Sequence, residues 1–324
     1  MAYYEVKPTP ETLHGTYSRE FPPILTIHSG DTVCFSTLDS RWHLEPPFGG
    51  AQPRTFHPRD PQRDAGHALI GPIAIRGAKP GMTLAVRVDD IRVGTWGWTT
   101  AGGGDWAVNR LLGLDDPPMA VLAWELDPDA LIGRNSLGHE VKLRPFMGQM
   151  GMPPNEPGLH STRPPRFCGG NLDCKELVVG STLYLPIPVE GGLFSVGDGH
   201  ALQADGEVAG VAIECPMERV ELTFFLEPDL QLAMPRAHTP AGWVTMGLHE
   251  DLHEAMMLAL DGMLDLMEEL YGLKRKEALA LASVVVDFRI TQVVNGGVHG
   301  VHALLPHGAL RRTTGVGTSE GRGG

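Results

Sequence analysis

The chain has 324 residues, 42% of them hydrophobic and 20% charged, a globular composition with length enough for one large or two medium cores. Its 39 acidic residues outnumber 26 basic ones, for a formal charge of −13, so it offers no basic field to nucleic acid or anionic lipid. Apolar stretches are short and broken by Gly, Pro or charge, and MAYYEVKPTPETL lacks the basic and apolar regions of a signal peptide; no membrane partner and a cytoplasmic location are expected.

From the N-terminus to about Leu143 the runs PPILTIHSGDTVCFST, HALIGPIAIRG, MTLAVRVDDIRV and MAVLAWELD are strand-like and separated by Pro, Gly and Asp clusters, which predicts mainly antiparallel β structure. Arg144 to Asn171 is dense in Pro and Gly and reads as a structured connection. STLYLPIPVEGGLFSVGDG has the pattern of a hairpin, and in RVELTFFLE the residues Val220, Leu222, Phe224 and Leu226 alternate onto one face. After Pro240 the period changes. Leu252, Ala255, Met256, Ala259, Leu260, Met263, Leu264, Met267 and Leu270 recur at three and four, predicting an amphipathic helix over 248–271 whose stripe is expected to be buried partly in a homodimer. KRKEALALASVVV predicts a second helix ending near Asp287, FRITQVV a further strand, and TTGVGTSEGRGG a disordered tail. The expected fold is α+β: mainly β with added helices, in antiparallel sandwich-like layers with a C-terminal helical segment. The regions are 1–143, 144–235 carrying the site, 236–305 and a 306–324 tail.

Several motifs compete for the chemistry. HEDLH, His249 to His253, matches the helical pattern in which two histidines bind zinc and Glu250 is the base, the basis of a zinc-metallopeptidase alternative. A third ligand such as Glu277 is marked by no motif, and acidic residues at a helix start are also what the macrodipole favours. Gly102 to Gly104, beside Trp96, Trp98 and Trp106, lacks the Lys and helix N-terminus of a phosphate loop and reads as a mobile or ligand-facing loop. No Gly- and Ser-rich nucleophile segment of a serine amidase is present. Cys34, Cys168, Cys174 and Cys215 are too irregularly spaced for a disulfide framework or zinc ribbon. Cys168 or Cys174 could act as a nucleophile with His160 or His200, but buried small apolar thiols are the favoured reading.

The stretch LFSVGDGHALQADGEVAGVAIE, Leu193 to Glu214, carries a different signal. On strand alternation, Phe194, Val196, Asp198 and His200 form one series and Val208, Gly210, Ala212 and Glu214 another, each beginning apolar and ending ionisable. Carboxylates at the rim of a core need a partner, and a divalent cation supplies one. GGNLD upstream adds Asn171 and Asp173 at the same spacing. The alternative stays open at this level: a turn at Asp198 and Gly199, Asp173 capping a helix at Lys175, and a satisfied core His200.

GLHSTRPPRFCGGNLD, TLYLPIPVEGGLFSVGDGHALQADGEVAGVAIECPM and DFRITQVVNGGVHGVHALLP resemble the acetamidase/formamidase family, as do HSGDTVCF, GPIAIRGAKPGMTLAVRV and RPFMGQMG, so the likeness runs over nearly the whole chain. The resemblance implies metal-dependent hydrolysis of formamide- or acetamide-like amides to carboxylate and ammonia, a mainly β fold with added helices, and dimeric or higher assembly. The implied cofactor is a divalent metal, zinc or else calcium. The family's Gly-Gly-Asn-x-Asp falls on Gly169 to Asp173, its Gly-Asp-x-His-Ala-x-Gln on Gly197 to Gln203, and its Ala-Ile-Glu on Glu214. On these positions the expected ligands are Asp173, Asp198 and His200, with Glu214 and Asp198 catalytic and Gln203 or Asn171 orienting the amide. The chain departs from the family at Gln203-Ala204-Asp205-Gly206-Glu207, where Gln-Gly-Asp-Gly-Glu is common, and SRWHLEPP, with His43 and Glu45, has no clear place on its pattern. A non-catalytic β-rich binding or scaffold protein is the remaining alternative, favoured if Gln203 or Glu214 lies on the surface.

Overall fold

A computed structural model describes residues 1–48 and 52–311. Two large sheets make the body. The nine-stranded sheet runs in the order Tyr3–Val6, Thr32–Thr37, Met217–Glu227, Thr83–Val93, Thr182–Pro186, Arg236–Thr239, Gly242–His249, His299–Pro306 and Asp287–Gln292. The six-stranded sheet runs Gly169–Asn171, Phe146–Gly151, Phe194–His200, Leu69–Ile75 and Leu13–His14, with Leu25–Ile27 also paired to Leu69–Ile75. Pairing is antiparallel except at Tyr3–Val6 with Thr32–Thr37 and at Leu25–Ile27 with Leu69–Ile75. The two sheets share one apolar core: Val33, Phe35, Val86, Leu222 and Phe224 of the first pack with Ile70, Ile73, Met150, Phe194 and Val196 of the second. The Phe194 and Phe224 rings meet edge to face at 5.1 Å. The fold is thus β-rich α+β in layers, as the element pattern predicts. Strands from 1–143, 144–235 and 236–305 all contribute to the nine-stranded sheet.

Three local expectations are corrected. The predicted connection Arg144 to Asn171 contains the strands Phe146–Gly151, His160–Ser161 and Gly169–Asn171, because glycine lets backbones approach where side chains would collide. The predicted hairpin is a crossover: Thr182–Pro186 joins the nine-stranded sheet and Phe194–His200 the six-stranded one, so the turn at Gly191 and Gly192 carries the chain between layers. Val208 to Glu214 is not a strand; Glu214 makes only isolated bridges, to Trp98 and His200. Of the tail, Pro306 ends a strand, and 312–324 lie outside the described residues.

The first long helix spans Leu252–Tyr271, capped by Asp251, whose side chain accepts from the His253 and Glu254 amides. Its buried face, Ala255, Ala259, Met263, Leu264, Leu266 and Met267, packs on Val301, Ala303 and Leu305 of the sheet and on Ala278 and Ala282 of the helix Arg275–Val285. Most of the stripe is therefore covered within the chain, while Leu252, Met256 and Leu260 at its near end are only partly buried and Leu270 is exposed. Among the described residues no helix is long and apolar enough to cross a membrane.

One buried histidine sets a pH limit on this body. His14 bonds Thr16 O through Nδ1 at 2.7 Å and Ser195 Oγ through Nε2 at 3.0 Å, and burial pulls its pKa from 6.5 down to about 4. Between those values the unfolded chain binds the proton and the folded one does not, so stability rises with pH across that window and is lost as pH falls through it. The contribution is on the order of 3 kcal/mol at neutral pH. His302, buried and pulled to about 4 by the same desolvation, acts in the same direction. Denaturant titrations at pH 7 and pH 4.5 are expected to show the loss, and His14→Gln to reduce it; a pH-independent midpoint contradicts this.

Candidate active site

The site forms where the six-stranded sheet ends against the loops 201–216 and 293–298. Phe146–Gly151 pairs with Phe194–His200, Gln149 opposite Gly197 and Met147 opposite Gly199. Between those pairs Asp198 is left-handed, with φ 60°, which presents its carboxylate out of the ladder. Gly199 has no room for a side chain, since a Cβ there would sit 2.7 Å from Met217 Cγ and 2.8 Å from Cys215 O. On the other edge Gly169–Asn171 delivers Asn171 and Asp173, and the Asp173 amide donates to Gly148 O at 3.2 Å. No helix follows Asp173, so it caps none.

These elements bring Asp173, Asp198, His200 and Glu214 into one buried cluster, each at most 3% exposed. One ligating atom each from Asp173, Asp198 and His200 lie within 4.8 Å of one another, as do those of His200, Glu207 and Glu214. His200 Nε2 stands 3.5 Å from Asp198 Oδ1 and 3.2 Å from Glu214 Oε1. Asn295 Nδ2 donates to Asp173 Oδ2, and the Ala212 amide to Glu214 Oε1 at 3.1 Å.

Gln203 falls elsewhere than expected. Its Nε2 donates to Asp173 O at 2.8 Å and its Oε1 takes His200 Nδ1 at 2.9 Å. Both ends of the amide are spent behind the cluster, so Gln203 orients His200 rather than a substrate and turns its Nε2 toward the acids. Asn171 does face the cavity; its Nδ2 bonds Arg163 O at 3.0 Å while Oδ1 has no partner. Residues missed in the sequence join them. Glu207, left-handed with φ 44°, follows a turn whose composition carries no site signal; Asn295 lies in the loop after the strand Asp287–Gln292; His67 accepts from Gln149 Nε2 at 2.6 Å. Gly148 has no side chain at all, and a Cβ there would meet Asp173 Oδ1 at 2.6 Å and His200 Cε1 at 2.7 Å.

Electrostatically the cluster is short of positive charge. Burial raises Asp173 to about 7, and burial with Asp173 alongside holds Glu207 well above the usual carboxylate range. Burial also disfavours the charge on Asp198, but His67 and His200 outweigh it and hold that carboxyl low. His200 is lifted well above its ordinary value, burial being overcome by Glu214 and Asp198. Among the described residues, five buried polar atoms here have no hydrogen-bond partner: Asn171 Oδ1, Asp173 Oδ1, His200 Nε2, Glu207 Oε2 and Glu214 Oε2. A convergent set of oxygen and imidazole acceptors without donors fits a divalent cation, which would replace the protons the groups otherwise share.

The competing motifs do not assemble. His249 ends the strand Gly242–His249 and His253 opens the helix, so the two are not one helical turn apart, and both are exposed. His249 Nδ1 instead accepts from the Asp251 amide at 3.0 Å. Cys168 and Cys174 are buried, their thiols pushed up to about 12 by desolvation, and His160 is tied to Glu156 O. His43 is held at 2.7 Å by Asp39, which also accepts from Trp98 Nε1, while Glu45 pairs with Arg54. Gly102 to Gly104 line the cavity with Trp98 and Trp106. Gln203 and Glu214 are 7% and 2% exposed, which removes the condition that would favour a scaffold role.

Comparison with known proteins follows the same line. The model of the acetamidase/formamidase family matches residues 4–161 and 158–234. A formamidase of Methylophilus methylotrophus is 51% identical over 47 residues and an acetamidase of Mycolicibacterium smegmatis 49% over 47 residues, each match covering 14% of this chain and 12% of that protein. The chain thus spans about an eighth of the length of these two relatives in the matched stretch. The crystal structure of an acetamidase from Bacillus halodurans superposes with a TM-score of 0.80 at 26% identity, covering 93% of this chain and 97% of that one.

Proposed function

The chain belongs to the acetamidase/formamidase family, and on that premise we propose that it hydrolyses the carbon–nitrogen bond of short linear amides, giving a carboxylate and ammonia. The observation that carries the proposal is the convergence of unpartnered buried acceptor atoms on one cavity of about 440 Å³. Asp173, Asp198 and His200 would hold a divalent cation, zinc for a mixed nitrogen and oxygen set, with calcium the alternative. When bound, such an ion polarises the amide carbonyl and acidifies water.

The protein's own groups supply the rest. Glu214, anchored through Oε1 and free at Oε2, takes the proton of the attacking water and passes it to the amide nitrogen as the carbon–nitrogen bond breaks. Asn171 Oδ1 accepts from the substrate amide N–H and so fixes its orientation. Gln203 holds His200 in place, and Glu207, its carboxyl held well above the ordinary range by burial and by Asp173, stands beside the same cluster. A cytoplasmic enzyme is part of the same reading.

Asp198→Asn tests the ligand set. A neutral amide oxygen is a poorer partner for a divalent cation than a carboxylate. Bound zinc per chain and ammonia release from acetamide are expected to fall together, by at least about 10-fold. Full metal content with normal turnover would remove Asp198 from the site.

Assembly as a homodimer or higher homo-oligomer belongs to the proposal as well. The edge strand Asp287–Gln292 exposes Phe288 and Ile290, which with Leu252, Met256 and Val301 line an apolar depression. Gly206 pairs with the far end of this strand, at Thr291 and Gln292, and the apolar side chains exposed before it make a surface that association would cover. Sedimentation is expected to show a dimer or larger at micromolar concentration, and Ile290→Lys to weaken it; a monomer throughout counts against it.

A further inference from the structure

Resting on the amidohydrolase reading above, we infer that the preferred substrate carries a negative charge on its acyl chain: the cavity takes the monoamide of a short dicarboxylic acid in preference to acetamide. The cavity is lined by Arg41, Arg59 and Arg163 as well as by the acidic cluster. Among the described residues none of the three makes an ion pair, in a chain of 39 acidic residues against 26 basic. Nor does Asp173, Asp198 or Glu214 pair with an arginine; their ion-pair partner is His200. The arginines are therefore not neutralising the buried acids.

Their setting is that of anion-binding groups. The Arg41 guanidinium lies 4.3 Å from the Trp98 ring centroid and that of Arg59 4.4 Å from Trp42. Stacking on an indole face fixes the guanidinium plane and leaves its N–H edges for a carboxylate, so little ordering remains to be done on binding. Arg59 donates one N–H to Asp64 O and lines the cavity, and its buried Nε has no hydrogen-bond partner among the described residues. Arg41 and Arg163 are exposed while the acidic cluster is buried, which puts positive charge toward the mouth and the reacting end inside. A volume of about 440 Å³ falls among pockets that enclose multi-atom ligands, whereas acetamide would leave most of it to water. Because ammonia leaves from a primary amide, the extra charge must lie on the acyl side, at the far end from the cluster.

The test compares ammonia release from succinamate, from butyramide as its neutral counterpart, and from acetamide, by unsubstituted protein and by Arg41→Ala, Arg59→Ala and the conservative Arg59→Lys. Succinamate is expected to exceed butyramide in kcat/KM by about 10-fold to 100-fold, the scale of a charge-assisted hydrogen bond or two. The ratio should collapse toward one in the alanine variants, chiefly through KM, and be partly kept in Arg59→Lys. Equal kcat/KM for succinamate and butyramide in the unsubstituted protein overturns the inference while leaving amide hydrolysis intact. If no amide is hydrolysed, the hydrolase reading fails. Quenching of the tryptophans by succinamate then decides the inference separately: quenching lost in Arg59→Ala retains an anionic ligand, and absence of quenching rejects it.

Discussion

Glu214→Gln is expected to lower ammonia release by roughly 10²-fold to 10⁴-fold, the range for loss of a general base, with metal content unchanged. The substitution keeps the length of the side chain and an oxygen able to accept from the Ala212 amide, so the loop that places it should hold. What disappears is a proton acceptor at the free Oε2 position, which no donor among the described residues occupies. Metal per chain and steady-state turnover, measured on the same preparation, separate the two roles open to this residue. Glu214 also lies within ligating distance of His200 and Glu207. Loss of metal in the variant would make it a ligand, and normal turnover would deny it any part in catalysis.

The second large effect is expected at a residue with no side chain. Gly148→Ala places a Cβ 2.6 Å from Asp173 Oδ1, 2.7 Å from His200 Cε1 and 3.0 Å from Asp198 O. Gly148 is not among the positions with φ above zero, so its backbone accommodates alanine and the insult falls on the cluster rather than on the strand. Displacement of reacting groups by even about 1 Å can cost some 10²-fold in rate. Ammonia release and bound metal should therefore drop by at least that order, with circular dichroism and thermal midpoint little changed. A fully active, fully metallated Gly148→Ala protein would mean that Asp173 and His200 need not lie where they do.

Much of the fold is legible in the chain because its causes are local. Alternation in RVELTFFLE reports a strand with one face in the core, and Val220, Leu222 and Phe224 are indeed fully buried. The three-four recurrence from Leu252 to Leu270 reports the helix Leu252–Tyr271, shorter at its start than predicted because Asp251 caps it. The pairing of polar groups at Asn171 and Asp173, and at Asp198 and His200, marks the two strand ends that meet in the cluster, since ionisable groups in apolar runs demand partners.

What the chain could not disclose depends on contacts between residues distant in sequence. Whether Thr182–Pro186 and Phe194–His200 pair with each other or divide between layers is decided by Thr83–Val93 and Phe146–Gly151, their actual neighbours. Gly148 becomes functional only because Asp173 and His200 arrive on either side of it. Gln203 turns from a substrate contact into a support because Asp173 O stands behind it, and Glu207, His67 and Asn295 enter the site from loops whose composition is that of any turn. HEDLH fails for the same reason in reverse: the local pattern is present, but sheet pairing ends the strand at His249 and the Asp251 cap begins the helix beyond it. Periodicity and charge in the sequence determined which segments are strands and helices and which polar groups need partners. Which groups meet was set by the packing of the two sheets, because a cluster of buried acids is assembled across layers and not along the chain.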